Sequence, residues 1–285
     1  MSAVTYPCDT RSFQAVALDS VRVSGGVHIS VDVAHDRSRV VLVEERDGYK
    51  ARFPRRAKLP EAVIINTGGG LASGDKIVQS FEVLSGAHLT VTSQACERVY
   101  RSTGGSPSRV KVMAEVKDGG TFHWLPQETI VFNEACFDRT IEIDLTGSAR
   151  ALIAETLILG RQAMGEKLNS VELRDTWRMR RDGRLVFAEN TRVDSDALSR
   201  SGTHAITGGA TVLATVLYVA PDAEAKHLAL RRVHEAQGAV QCAVSAWNGI
   251  AIVRARARDS ASMRDLMTNL LTGLAEASLP RVWAN

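Results

Sequence analysis

Clustered cysteine is missing from this chain. Cys8, Cys96, Cys136 and Cys242 are scattered, with no C-x-x-C pair and no histidine at zinc-ligand spacing. That excludes a disulfide-stapled miniprotein and the common zinc cages, and it fits reduced thiols in the cytoplasm. Long hydrophobic runs are missing as well. Residues 1–11 lack the apolar core of a signal peptide. The longest uncharged stretch, 201–221, is solidly apolar only over 212–220, too short for about 30 Å of hydrocarbon. It reads as a buried strand, not a membrane span. A strong charge of either sign is absent too: the net charge is +3 over 285 residues, which argues against a nucleic-acid binder. Lysine is scarce, with seven against 28 arginines. Arginine suits polar interfaces, although a GC-rich genome produces the same bias.

What is present is mainly β. Short alternating or β-branched segments at 16–23, 28–33, 38–45 and 62–66 are separated by turn formers. Three further pairs flank glycine turns: 81–84 and 88–93 around Gly86, 110–116 and 121–125 around Gly119, and 140–145 and 149–159 around Gly147. Eight residues after these glycines stand Gln94, Gln127 and Glu155. A strand-turn-strand unit recurring at spacings of 33 and 28 suggests stacked coils of a β-solenoid. A β-sandwich built from ordinary hairpins satisfies the same pattern. Segments 240–247 and 250–256 flank Asn248-Gly249, a strong hairpin signal.

Two helices are expected near the C-terminus. One covers about 222–237, with Asp222 as N-cap and a stop at Gly238; the other covers about 260–277, capped by Ser260 or Ser262. Met263, Leu266, Met267, Leu270, Leu271 and Leu274 give the second a wide apolar stripe, suited to docking on the β body or to a partner. No linker divides the chain, so residues 1–285 read as a single domain.

Catalytic motifs are not evident. The segment 67–76 resembles a phosphate loop, but Asp75 stands where the lysine belongs and strand-like Ile77-Val78 follows. No G-x-S-x-G, H-E-x-x-H or paired-carboxylate motif occurs, and His123 reads as a satisfied interior histidine. The unusual feature is polar residues within apolar strands: Gln94, Gln127, Glu128 and Glu155, with Glu166 just beyond one such run. A buried carboxylate must be paired, hydrated or bound to a cation. Stacked coils would align Gln94, Gln127 and Glu155 into a polar seam, with Arg98, Arg101, Arg150 and Arg161 near in sequence as ion-pair partners.

These residues carry a family resemblance. The stretches 66–75 (NTGGGLASGD), 92–101 (TSQACERVYR), 124–132 (WLPQETIVF), 160–166 (GRQAMGE) and 279–283 (LPRVW) resemble the urease accessory protein UreD family, also called UreH, in family order. Ser73 stands where glycine is common, and Gly68 where proline or alanine often is. The resemblance implies a β-helical body with a small helical part and a non-catalytic chaperone role in nickel insertion into apo-urease. It implies partners UreF, the GTPase UreG and the urease apoprotein, and a dimer of such heterocomplexes. No cofactor is tightly bound; nickel passes transiently through a polar tunnel. Asp75, Glu128 and Glu166, with Glu155 a weaker candidate, are the expected path. Gly69, Gly70, Gly74, Gln94, Arg98, Tyr100 and Gln127 are motif positions with structural roles, and Leu270 and Leu271 are candidate partner contacts. Two rival readings are a solenoid scaffold without metal traffic and a hydrolase using Asp75 or Glu128 in a cleft.

Overall fold

The computed structural model describes residues 22–55, 59–161, 164–203, 206–235, 240–275 and 278–284. Cys8, the strand expected over 16–23 except its last two residues, and the helix stop at Gly238 lie outside them.

In chain order the strands are β1 Ser24–Ala34, β2 Arg37–Arg46, β3 Tyr49–Arg52, β4 Glu61–Asn66, β5 Lys76–Val83, β6 His88–Ser93, β7 Glu97–Val99, β8 Ser108–Val116, β9 Thr121–Trp124, β10 Thr129–Val131, β11 Cys136–Leu145, β12 Arg150–Leu159, β13 Glu172–Arg181 and β14 Arg184–Asp194. Helix α1 (Ser195–Ser199), β15 Val212–Val219, helix α2 (Ala223–Glu235), β16 Gln241–Trp247, β17 Ile250–Ala257 and helix α3 (Ser260–Leu274) complete the order. One sheet runs β14-β13-β11-β8-β5-β1-β2, and the facing sheet runs β16-β17-β15-β12-β9-β6-β4-β3.

The three glycine turns do not close hairpins. Each carries the chain from the first sheet to the second, so the strands on either side of a turn belong to opposite layers. β5, β8, β11 and β13 then pair in parallel, and so do β6, β9 and β12. This is the solenoid, and it removes the sandwich alternative. The corner requires left-handed backbone: φ is +69° at Gly86, +70° at Gly119 and +57° at Gly147. The pairing offset from the second coil to the third is 29 residues at Val116↔Leu145, one more than the glycine spacing. It changes from 29 at Trp124↔Ile153 to 28 at Thr129↔Leu157, which restores the spacing between Gln127 and Glu155.

Period-2 alternation sends Val27, Ile29, Phe81, Val112, Ile141 and Ile153 into one core between the sheets. β12 is buried along its whole length after Arg150, because its second face lies under a further core of Leu125, Leu152, Ala154 and the α3 stripe. Asp259, rather than Ser260 or Ser262, caps α3 by accepting the Ser262 N–H at 2.8 Å. The Asn248-Gly249 hairpin forms as expected, with both residues at positive φ. The β13–β14 hairpin was not anticipated: its outward face is dense in arginine and hides the alternation. No helix among the described residues is long and apolar enough to cross a membrane.

Candidate functional site

Among the described residues, a charged or amide side chain breaks the inward apolar rule at four buried strand positions. Gln79 stands between Ile77 and Phe81, Arg139 between Phe137 and Ile141, Glu155 between Ile153 and Leu157, and Asp175 between Leu173 and Trp177. Parallel register sets Arg139 directly beside Asp175. Arg139 Nε and Nη2 donate to Asp175 Oδ1 and Oδ2 at 3.0 and 2.6 Å. Its Nη1 donates across the inter-sheet space to Glu155 Oε2. Trp124 Nε1 donates to Glu155 Oε1 at 2.7 Å, and Trp177 Nε1 to Asp175 Oδ1 at 3.1 Å. Two carboxylates thus share one guanidinium. Burial pushes Glu155 above the usual carboxylate range, and Arg139 offsets part of that. Burial also disfavours the Arg139 charge, but the two carboxylates outweigh it and hold the guanidinium protonated.

A cavity of about 260 Å³ lies against this triad. Gln94, Gln127 and Glu155 all line it, so the seam inferred from the repeat exists as a shared wall. Gln94, Ala95, Cys96 and Arg98 line it and are exposed, which marks its mouth. Gln79 Oε1, Thr92 Oγ1 and Gln127 Nε2 are buried without a hydrogen-bond partner, and all three residues line this cavity. Such an atom costs about 1–3 kcal/mol when left unmet, so three residues of the wall carry uncompensated polar groups. Elsewhere on the wall, Glu97 accepts from Asn66 Nδ2 at 3.0 and 3.2 Å and from the Tyr49 hydroxyl at 3.3 Å. Burial pushes its carboxyl up despite these bonds.

The expected path residues are not brought together. Glu155 alone of the four lines the cavity. Asp75 is a loop staple: its oxygens accept the Val23 N–H at 3.0 Å and the Ala72 N–H at 2.7 Å, closing the turn that holds Gly74. Glu166 is held by Arg161 at 3.1 Å on the loop after β12. Glu128 sits beside the mouth, where Cys96 Sγ donates to it at 3.2 Å and Arg264 Nη1 at 3.0 Å. Arg264, from α3, also donates to Gln127 Oε1 at 2.6 Å and to the Val282 carbonyl at 2.8 Å, and stacks on Trp283. Although the residue is exposed at the mouth, partial burial of its sulfur and then Glu128 push the Cys96 thiol up to about 11, so it is protonated at neutral pH.

Of the glycine motif positions, Gly70 is fixed by packing, whereas Gly69 and Gly74 adopt left-handed backbone at φ +74° and +87°. A Cβ on Gly70 would lie 2.5 Å from the Tyr100 ring, and the Tyr100 hydroxyl donates to the Gly69 carbonyl at 2.7 Å. Leu71 N–H bonds the Arg98 carbonyl at 2.7 Å. The strand β5 follows this loop, so the phosphate-loop geometry is absent there. Leu270 and Leu271 are corrected: both are fully buried against the second sheet and hold α3 in place rather than face a partner. The ion-pair partner of Glu155 is Arg139, not one of the four arginines near it in the repeat. Sequence reasoning missed Arg139 and Asp175, although each is a charge at a core-facing alternate position. Among the described residues, no three His, Cys, Asp or Glu side chains converge as a metal cage.

The family model for the UreD urease accessory protein matches residues 23–284. The chain is 41% identical over 264 residues to a urease accessory protein UreD of Xanthobacter autotrophicus, covering 92% of this chain and 90% of that one. It is 37% identical over 276 residues to the UreD of Rhodopseudomonas palustris, covering 96% and 98%. A urease accessory protein UreD 3 of Methylorubrum extorquens shares 39% over 274 residues, covering 94% and 92%.

Proposed function

This chain belongs to the UreD urease accessory protein family, and from that premise we propose that it works with UreF and the GTPase UreG on the urease apoprotein, conducting nickel toward the urease metal site. Its role is that of a urease accessory protein; the partners, the cargo and the route are the proposal. The observation that carries the route is the interior cavity with Glu155 on its wall, lined also by three residues that carry unmet polar atoms. Spaced carboxylate and amide oxygens hold a divalent ion weakly enough to release it, where a histidine–cysteine cage would retain it. Nickel is cargo in this reading, and no cofactor is required.

The route therefore rests on Glu155, with Glu97 on the same wall and Glu128 beside the mouth. Asp75 and Glu166 act on loop geometry instead. GTP hydrolysis falls to UreG. The free thiols of Cys96, Cys136 and Cys242 suit a cytoplasmic setting. The test is coexpression of urease with its accessory proteins, with and without this chain, followed by nickel content and urease activity. Glu155→Gln, shown to assemble normally, is expected to lower both. Full nickel loading without the chain would refute the role in insertion, and full activation by Glu155→Gln would refute the route.

A further inference from the structure

We infer that Arg139 is a resident counter-ion that competes with a divalent cation for Glu155 and thereby keeps the cavity's hold on its cargo weak. The inference rests on the transit reading above and specifies how the same site is tuned. Charge is the first support. Glu155, Asp175 and Arg139 together carry one formal negative charge in a buried setting. A divalent ion takes that set from −1 to +1. Without Arg139 the same ion would neutralise two bare carboxylates, which is far more favourable in a low-dielectric interior.

The hydrogen bonds give the exchange a direction. Asp175 holds the guanidinium through two N–H groups, at 2.6 and 3.0 Å, whereas Glu155 holds it through Nη1 alone. A bidentate pair is the stronger of the two, so Glu155 is the carboxylate that can be released while Arg139 stays anchored. Glu155 also lines the cavity, and Asp175 does not. An independent feature points to a ligand in this space. Gln79 lines the cavity, its Oε1 is unpartnered, and the residue is only 8% exposed. An uncommitted carbonyl oxygen on a residue that lines the same space as an exchangeable carboxylate supplies the kind of oxygen donor that divalent ions accept, once the Gln79 side chain turns toward it.

The experiment is equilibrium dialysis of the purified full chain against Ni²⁺. It compares the wild type with Arg139→Gln, Glu155→Gln, the double variant and Asp175→Asn, each checked for folding. Arg139→Gln is expected to tighten Ni²⁺ binding at least tenfold, about 1.4 kcal/mol, and Glu155→Gln in the same chain to abolish the gain. Unchanged or weaker binding by a folded Arg139→Gln variant overturns the inference. Should Arg139→Gln not fold, Asp175→Asn decides. That change removes the Asp175 charge and one of its two acceptors for Arg139, which leaves the guanidinium to Glu155, so affinity should fall at least tenfold; unchanged affinity overturns the inference. Urease activation by Glu155→Gln separates the two claims. Full activation there defeats the transit reading, while the Arg139→Gln affinity judges the counter-ion role alone.

Discussion

Replacing Leu270 by alanine separates two roles that an apolar helix stripe can have. Leu270 is fully buried among Leu266, Met267, Leu271 and Leu274, against the face of the second sheet that carries Leu152 and Ala154. Truncation removes the transfer free energy of the lost methyls and leaves a cavity in a packed layer. For such sites the sum is about 3 kcal/mol. In a domain of this size each kcal/mol lowers the melting temperature by roughly 2–4 °C, so the drop should be roughly 6–12 °C. Asn269→Ala, on the exposed side of α3, should stay within about 0.5 kcal/mol and serves as the control. The assay is thermal unfolding of the purified chain, paired with copurification on urease apoprotein well below the transition. The expected result is a large loss of stability with binding retained. Unchanged melting together with lost copurification would refute the reasoning and make the stripe a docking face.

Other outcomes follow from the same geometry. Burial holds His123 neutral, with its pKa lowered to about 3. The unfolded chain binds a proton below about pH 6.5 that the folded chain does not, so stability falls as pH drops from 6.5 toward 3, by about 1.4 kcal/mol per unit. His123→Gln should reduce the slope of urea-derived stability against pH by about one proton in that window, and an unchanged slope would defeat the assignment. Gly147→Ala would place a Cβ 2.4 Å from Asp118 Oδ1, whereas at Gly105 the space is open; both sit at positive φ, so Gly105→Ala should cost about 1–2 kcal/mol and Gly147→Ala more, read from urea midpoints. Arg264→Met should destabilise by about 2 kcal/mol through lost contacts to Gln127, Glu128 and Val282. It should also raise the accessibility of Cys96, measured as a faster alkylation rate; an unchanged rate would mean that Arg264 does not shape the mouth.

Much of the architecture was legible because repeats and alternation are local properties. Glycines at Gly86, Gly119 and Gly147, each between alternating segments, announce a corner whoever the strands pair with. Whether those strands join as hairpins or stack as coils is not local: it depends on which neighbour satisfies each backbone ladder, and only the parallel registers decide it. The β13–β14 hairpin escaped notice because Arg174, Arg178 and Arg180 on its outer face swamp the inward alternation of Leu173, Trp177 and Met179.

The sequence by itself determined that Glu155 is a carboxylate in an apolar strand and must find a partner, and that Gln94, Gln127 and Glu155 recur in step. It also determined, through period 2, that Arg139 and Asp175 face inward, a signal that was there to be read. Tertiary structure alone decided who meets whom. Asp75 and Glu166 carry the same charge as Glu155 and lie in equally specific motifs, yet the backbone amides of Val23 and Ala72 consume the first, and the Arg161 amide and guanidinium the second. Glu155 instead projects between two sheets, where Arg139 from a strand of the opposite layer is its counter-charge. The reason is physical: a carboxylate's chemistry is set by the charge, donors and water around it, and those come from residues that the fold, not the chain order, brings near.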